Sequence, residues 1–207
     1  MRFSPRRYRA GFTLLEMMTV VAVIGITAGL AAPAMMSSIA NRRAGEATHA
    51  VVRIGARARS EAVAYSRAHL LTFRPTSTGP DSYGTFELWR GRVDRCAAND
   101  WPTLLTGSCA ANTDCIDSLD MGTYAHPTNR VRVQLEGSAA GALCFEPGGD
   151  MYYASTPPGR GGAIWSSTPP AGRGGVEFRV DRMTNGARVG VTRRVVFPFG
   201  ATPRIRR

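Results

Sequence analysis

The carboxylate of Glu16 is the first group in this chain whose surroundings demand an explanation. No other ionisable side chain lies between Arg9 and Arg42, and the residues that follow Glu16 are mostly apolar. An acidic side chain near the centre of a bilayer costs roughly 2.5–3.5 kcal/mol on insertion scales. A carboxylate kept at this cost is expected to have a partner or a function of its own.

Four cysteines form a second group of reactive side chains, and all of them follow the apolar segment: Cys96, Cys109, Cys115 and Cys144. An even number of cysteines beyond a membrane segment predicts two disulfides in an oxidising compartment. Three pairings are possible, and we favour Cys96–Cys109 with Cys115–Cys144, because these pairs would staple a long loop locally. A zinc site is not expected, because the chain has no C-x-x-C pair and its histidines are scattered.

Arginine supplies all 26 basic side chains, since the chain contains no lysine. Residues 151–207 carry ten arginines against two acidic residues, a net charge of +8, whereas residues 81–150 have a net charge of −5. This asymmetry favours head-to-tail docking with copies or partners, or attraction of a polyanion such as DNA. The alternative for the last arginines is a solvated, disordered chain end. The possible contacts to DNA or another anion are Arg193, Arg194, Arg204, Arg206 and Arg207.

Catalytic chemistry is not indicated by any combination of residues. The sequence shows no Ser/His/Asp constellation, no phosphate-binding loop and no pair of carboxylates at helical spacing. Asp114, Asp117 and Asp120 recur every three residues but flank Cys115 in an expected loop, so a calcium site there is a minor alternative. We therefore predict a protein that is not an enzyme and that needs no metal or cofactor.

Two periodicities predict the elements that position these residues. An apolar run leads into a stretch whose apolar residues recur every three or four positions, which predicts one helix from about Phe12 to His69. After Leu70 the pattern alternates, which predicts strands. The predicted strands are Leu70–Phe73, Thr85–Trp89, Arg130–Leu135, Ala142–Phe145, Val176–Val180, Arg188–Val191 and Arg194–Phe197. A long helix followed only by strands predicts an α+β fold, with the helix packed on an antiparallel sheet or sandwich.

These elements divide the chain into four regions. A basic leader comprises residues 1–11, and an apolar helix follows over residues 12–40. The helix continues as an amphipathic segment over 41–69 and leads into a β-rich globular domain over 70–207. Within the last region, residues 90–129 are predicted to form a long cysteine-rich loop. Inside the helix, Pro33 removes one backbone donor and predicts a bend or local melting.

The string Gly11-Phe12-Thr13-Leu14-Leu15-Glu16, placed between a basic leader and an apolar helix, resembles the class III signal of type IV prepilins and type II secretion pseudopilins. The resemblance implies that prepilin peptidase removes residues 1–11 by cutting between Gly11 and Phe12, and then methylates the amino group of Phe12. It also implies that Glu16 meets the amino terminus of a neighbouring Phe12 during assembly, and that Pro33 is a helix-kinking proline. A secretory signal or a plain membrane anchor explains the apolar run but not Glu16.

Two further segments resemble the GspH/FimT/FimU family of minor pilins and pseudopilins: residues 56–64 before the first strand, and residues 193–206 at the C-terminal end. The resemblance implies a FimU-like minor pilin in the tip or priming complex of a type IV pilus, which is the role we favour. The alternatives are a GspH-like minor pseudopilin of type II secretion and a FimT-like DNA-binding minor pilin for natural transformation. Three residues separate Gly200 from Arg204, so the tail only approximates the Gly-Arg-x-Arg motif of DNA-binding members.

The same resemblance implies partners and a location. The partners are prepilin peptidase, other minor pilins, the major pilin and a large tip adhesin, with DNA as the partner of the alternative role. The location is the inner membrane, where a single-pass chain would hold its C-terminal domain in the periplasm. After assembly, the protein would lie at the tip of the pilus or pseudopilus.

Overall fold

The first element is one long helix, and the chain divides within it. Helix α1 (Leu14–Tyr65) has 52 residues and is, by length and composition, long and apolar enough to cross a membrane. The chain forms two compact units, of which one ends at Ile39 and the other begins at Ala40. The computed structural model describes residues 12–76, 83–105, 109–125, 130–138, 140–158, 164–167 and 174–206.

Helix α1 ends at a turn without glycine. Ser66 adopts a left-handed φ of 50°, and its N–H donates to the carbonyl of Val63. The N–H of Arg67 donates to the carbonyl of Ala62. This pair of hydrogen bonds is that of a Schellman motif, which satisfies carbonyls left free at a helix C terminus. The helix therefore ends before the predicted His69, because His69 is the first residue of the first strand.

Two antiparallel sheets follow α1. The strands are β1 (His69–Arg74), β2 (Thr85–Arg90), β3 (Cys115–Asp120), β4 (Arg130–Leu135), β5 (Gly141–Phe145), β6 (Met151–Ala154), β7 (Gly175–Thr184), β8 (Ala187–Arg188), β9 (Arg193–Pro198) and β10 (Arg204–Arg206). The first sheet has the order β3-β2-β1-β5-β6. The second sheet has the order β10-β9-β7-β4, and β8 pairs with β7. The predicted α+β fold is confirmed.

The main core lies between the second half of α1 and both sheets. The helix contributes a buried stripe at three- and four-residue spacing: Ala47, Val51, Ile54, Ala58 and Ala62. Tyr65 continues the same spacing but is 55% exposed. Phenylalanine rings join the sheets, because Phe178 of the second sheet packs against Phe73 and Phe86 of the first at centroid distances of 5.5 and 5.2 Å.

A close approach of α1 to β9 depends on Gly55. A Cβ atom at this position would lie 2.0 Å from Cε1 of Phe197, which is too close for two carbon atoms that are not bonded to each other. The Phe197 ring is itself buried in the main core. Glycine in a helix interior costs roughly 1 kcal/mol relative to alanine. At position 55, however, glycine allows the helix backbone to pack directly on the Phe197 ring.

Residues 90–129 contain more regular structure than the predicted loop. They include the single helical turn α2 (Trp101–Leu104) and strand β3, which extends the first sheet beside β2. Trp101 packs with Trp89 in a second, smaller core on the outer face of the first sheet. The indole N–H of Trp101 donates to the carbonyl of Cys96 at 2.8 Å. Residues 96–105 therefore form a folded cover over the sheet, which we call the cover segment.

Three other strands differ from the sequence-based predictions. Strands β6 and β10 were not predicted, and the predicted strand Arg188–Val191 is wrong beyond Arg188. Asn185 and Gly186 both adopt positive φ values, 52° and 76°, which forms the tight turn between β7 and β8. The sequence contains a near-repeat, in which Ser-Thr-Pro-Pro is followed by Arg-Gly-Gly, at residues 155–162 and 167–175. Of these, residues 159–162 and 168–173 lie outside the described residues.

Candidate functional site

Phe12 and Glu16 lie at the N-terminal end of α1. The hydroxyl of Thr13 accepts a hydrogen bond from the N–H of Glu16 at 3.2 Å, which makes Thr13 the N-cap of the helix. Among the described residues, no hydrogen-bond or ion-pair partner is found for the Glu16 carboxylate. Gly11, on the leader side of the predicted cleavage bond, lies outside the described residues.

The surface around Glu16 is apolar and uncovered. Every residue from Phe12 to Ile39 is exposed, and the Phe12 side chain is 77% exposed. The hydroxyls of Thr19 and Thr27 donate to helix carbonyls at 2.9 Å, so these polar groups are already satisfied. This surface favours an apolar environment, and in that environment an ionised carboxylate requires a positively charged partner.

Helix α1 continues through Pro33 without interruption. We predicted a bend or local melting at this residue; the structure shows no break in the helix, although proline still lacks the N–H of an intrahelical hydrogen bond. A kink at Pro33 on assembly stays a prediction.

Three arginines form a row on the outer face of the second sheet. Arg179 of β7 lies directly opposite Arg194 of β9, and Arg194 lies directly opposite Arg206 of β10. Residues opposite each other share one face of a sheet, with Cβ atoms about 4.5–5.5 Å apart. We call Arg179, Arg194 and Arg206 the arginine row. Arg204, two residues before Arg206 on the same face, widens the row by one guanidinium.

Acidic residues neutralise one side of the arginine row. The Nε–H of Arg179 donates to Asp181 at 2.8 Å, and its guanidinium also binds Gln134. Arg194 donates to the mostly buried carboxylate of Glu177 at 3.0 Å. Like charges opposite each other destabilise a sheet, so these carboxylates stabilise the inner two members of the row.

The other side of the row is open and positively charged. Among the described residues, the guanidinium groups of Arg204 and Arg206 have no acidic partner. With Arg194 and Glu177 they line a groove of about 380 Å³, in which three guanidinium groups face one carboxylate. Arginine presents a planar fork of N–H donors that matches a phosphate or a carboxylate. This groove can therefore hold an anion.

Two of the predicted anion contacts are not part of this groove. Arg193 lies opposite Val180, on the core-facing side of the sheet, and its guanidinium donates to the carbonyl of Asn41 at 3.4 Å. Arg193 therefore helps to hold β9 against α1. Arg207 lies outside the described residues. The alternative of a disordered end is wrong for Arg204–Arg206, because these residues form β10 against β9.

The alternation of β7 holds a signal that sequence reasoning did not use. Val176, Phe178 and Val180 face the core, so Glu177 and Arg179 must face outward between them. Neither outward residue was a predicted site residue. Their place beside Arg194 depends on how the strands pair, which the alternation alone does not specify.

Both disulfides form, but the favoured pairing is wrong. The structure joins Cys96 to Cys144 and Cys109 to Cys115, with Cα–Cα distances of 6.0 and 5.2 Å. Cys144 lies on β5, where it faces the smaller core beneath Cys96. Cys115 begins β3, and the helical turn at Cys109 brings its sulfur within reach. The first bridge therefore fastens the cover segment to the sheet, and the second closes a short loop.

The aspartate triplet does not form a site. Asp117 pairs with Arg57 of α1 at 2.7 Å, and Asp120 accepts a hydrogen bond from the N–H of Gly122 at 2.8 Å. Within the described ranges, no group of three or more His, Cys, Asp or Glu side chains is placed to hold a metal ion.

The comparisons with known proteins concern the N-terminal part of the chain. A family model described as the prokaryotic N-terminal methylation motif matches residues 6–32, which include Phe12 and Glu16. Neither a curated protein nor a solved structure matches the chain. The motif implies processing by prepilin peptidase and assembly with other pilins. With the long apolar helix on antiparallel sheets, it supports a type IV pilin-like protein.

Proposed function

We propose that this protein is a minor pilin of the tip or priming complex of a type IV pilus, with a FimU-like role. The observation that carries the proposal is the single carboxylate of Glu16 on the exposed apolar surface of α1, four residues from Phe12. Cleavage between Gly11 and Phe12 would create a positively charged amino group at the end of that surface. The chain would then carry both halves of an ion pair that only a neighbouring subunit can complete.

The pairing of Glu16 with a neighbour sets the axial register of assembly. When apolar helices leave the bilayer and pack side by side, most of their surface exchanges lipid for protein with little directional preference. An unpaired carboxylate in those surroundings costs several kcal/mol. The arrangement in which Glu16 meets the amino terminus of the next Phe12 is therefore favoured over axially shifted ones.

The globular unit supplies the contacts that distinguish one pilin from another. Before assembly it would lie in the periplasm, where its disulfides can form, while α1 anchors it in the inner membrane as a single-pass protein. Other minor pilins, the major pilin and a large tip adhesin are its proposed partners. The outer face of the second sheet, with its arginine row, is available for such contacts.

Surface pilin in a clean deletion strain tests the priming role. We expect sheared major pilin to fall strongly on deletion and to return with the wild-type gene. Complementation with Glu16→Ala should give a cleaved protein that does not restore surface pilin, because the register pair is lost. Glu46→Ala is the matched control: it removes an exposed carboxylate of the same helix that pairs with Arg42. Normal piliation of the deletion strain, with paralogous genes also removed, would contradict the proposal.

A GspH-like role in type II secretion is the alternative that shares the same helix chemistry. A deletion strain with normal pili but a loss of secreted enzymes would select it. Neighbouring genes give a second criterion, since minor pilins and a tip adhesin favour the pilus, and core secretion genes favour the pseudopilus.

The open side of the arginine row favours one further role, that of a DNA-binding minor pilin for natural transformation. Arg194, Arg204 and Arg206 lie on one face beside a groove, an arrangement suited to successive phosphates. A gel shift with the full mature chain in a zwitterionic detergent tests this role against Arg204→Ala/Arg206→Ala. The absence of any shift at low salt would exclude it.

A further inference from the structure

A second cavity lies on the opposite sheet, beside the Cys96–Cys144 disulfide. It has a volume of about 470 Å³, within the range of ligand pockets, and it is separate from the groove beside the arginine row. Its lining residues are Arg95, Cys96, Ala97, Glu146, Tyr152 and Trp165. None of these residues takes part in the assembly chemistry of α1.

Strand pairing places two aromatic side chains together at this cavity. Tyr152 lies opposite Cys144 across β5 and β6, above the disulfide. Ser166 exchanges two backbone hydrogen bonds with Tyr153, of 2.8 and 2.9 Å, which fixes the neighbouring Trp165 opposite Ala154. Side chains two residues apart on a strand share a face, so Tyr152 and Trp165 line the same side of the sheet.

The charged groups at the cavity have opposite signs. The Glu146 carboxylate accepts the N–H of Cys96 at 2.8 Å, which holds it at the cavity wall. The Arg95 guanidinium is exposed, and among the described residues it has no ion-pair partner. The Glu146 charge raises the pKa of the Tyr152 phenol, burial and the Asp150 charge raise this pKa further, and the Arg95 charge lowers it.

This combination selects a neutral ligand that carries several hydroxyl groups. A carboxylate accepts hydrogen bonds, a guanidinium and an indole N–H donate them, and a phenol does both. Because the charges of Glu146 and Arg95 are opposite, a simple cation or a simple anion would be attracted by one of these residues and repelled by the other. A hydroxyl group can donate to Glu146 and accept from Arg95, while the C–H face of a sugar ring packs on an aromatic ring. We propose that this cavity binds a neutral pyranose unit of a polysaccharide.

The test uses the full mature chain in a zwitterionic detergent without a sugar headgroup. Oligosaccharides of glucose and galactose form one set of probes, and oligosaccharides of N-acetylglucosamine form the other, so the two sources of such rings are distinguished. Saturation-transfer NMR detects binding, and titration calorimetry measures its strength. We expect at least one of these probes to bind with a Kd below about 10 mM.

Variants assign the binding to the cavity. Trp165→Ala should lower the affinity for the bound probe about tenfold or more, because the stacking surface is lost. Ile164→Ala is the matched control: its side chain is 93% exposed, adjoins Trp165 in sequence and does not line the cavity. Tyr152→Phe and Arg95→Gln remove single polar groups from exposed or partly exposed side chains, and they test the cavity even if Trp165→Ala fails to fold. Each should weaken binding several-fold.

Two results would overturn the proposal. One is the absence of saturation transfer from every saccharide at about 10 mM, a concentration at which weak sites are detected. The other is binding that Trp165→Ala, Tyr152→Phe and Arg95→Gln all leave unchanged. A single-stranded thymidine oligonucleotide serves as the competing probe: if it alone binds and Trp165→Ala weakens it, the cavity is a stacking site for bases and the proposal is wrong.

Discussion

The imidazole of His69 is buried at the junction between α1 and the first strand. Its Nδ1 lies 3.0 Å from the carbonyl of Arg67, which can only accept, so Nδ1 carries the proton of the neutral ring. The second nitrogen, Nε2, is buried without a hydrogen-bond partner among the described residues. Burial lowers the pKa of His69 below its usual 6.5, although the Arg67 carbonyl and Glu61 act against this shift; Arg90 and Arg67 lower the pKa further.

We predict that His69 makes the folded state less stable in acid. Because the pKa is lower in the folded than in the unfolded chain, the unfolded state binds the proton more tightly, and stability falls as the pH decreases below 6.5. His69→Gln should flatten the dependence of the unfolding free energy on pH below this value. His49→Gln is the control, since His49 is exposed on α1. Urea titrations at several pH values measure the effect, and equal pH dependence in both variants would refute the prediction.

At the scale of the elements, two glycines of α1 provide a matched pair. Gly55 packs against Phe197, whereas a Cβ atom at Gly45 would meet nothing within 4 Å. We predict that Gly55→Ala destabilises the protein by about 1–3 kcal/mol, because the buried ring must move. Gly45→Ala should instead stabilise it by about 0.5–1 kcal/mol through helix propensity. Thermal unfolding followed by circular dichroism measures both changes, and a stabilising Gly55→Ala would show that Phe197 can relax freely.

The two disulfides should contribute unequally to stability. The Cys96–Cys144 bridge spans 48 residues and fastens the cover segment to β5, whereas Cys109–Cys115 spans only six. In the chain-entropy account, the longer loop gives the larger stabilisation, about 4 kcal/mol against about 2–3 kcal/mol. We therefore expect the double serine variant at Cys96 and Cys144 to have the lower unfolding temperature. A larger loss at Cys109 and Cys115 would contradict this ranking.

The local pattern of apolar residues was sufficient to predict α1 and most core strands. The alternation in residues 130–135 predicts β4 with its observed bounds, because one face of that strand is apolar. Strand β3 was not predicted, because Asp117, Ser118 and Asp120 resemble a loop until β2 pairs with them. The disulfide pairing was predicted incorrectly for a related reason. Cys144 is near Cys96 only after the sheet forms and the cover segment folds across it, and sequence distance does not contain that information.

The arginine row shows the same limit in the candidate site. Arg194 and Arg206 were predicted as anion contacts and Arg179 was not, and the three arginines meet only through the pairing of β7, β9 and β10. Arg193 differs from Arg194 by one position and therefore lies on the other side of the sheet. Arg193 and Arg194 are thus adjacent in the sequence but lie on opposite faces of the sheet. Arg179, Arg194 and Arg206 are far apart in the sequence, but strand pairing brings them together.

At the scale of the whole molecule, positive charge is concentrated where the second sheet ends at β10. The net charge is +11 for the full chain, and removal of residues 1–11 takes away four arginines. The remaining excess includes Arg204 and Arg206, which have no acidic partner among the described residues, beside the partly neutralised Arg194. A polyanion that approaches the globular unit would therefore meet concentrated, uncompensated charge at this edge.

If the arginine row binds duplex DNA, the salt dependence of binding should reflect how many of its arginines contact phosphates. Each phosphate contact adds a slope of roughly −0.9 to the plot of log K against log salt concentration, because one contact releases condensed counterions. We predict that Arg204→Ala/Arg206→Ala makes this slope less steep by about 1–2. Arg53→Ala/Arg67→Ala is the control: it removes the same charge from exposed positions on and just after α1 that do not line the groove. Fluorescence anisotropy at several salt concentrations measures both slopes, and equal changes in the two variants would show that net charge alone, rather than the row, holds the DNA.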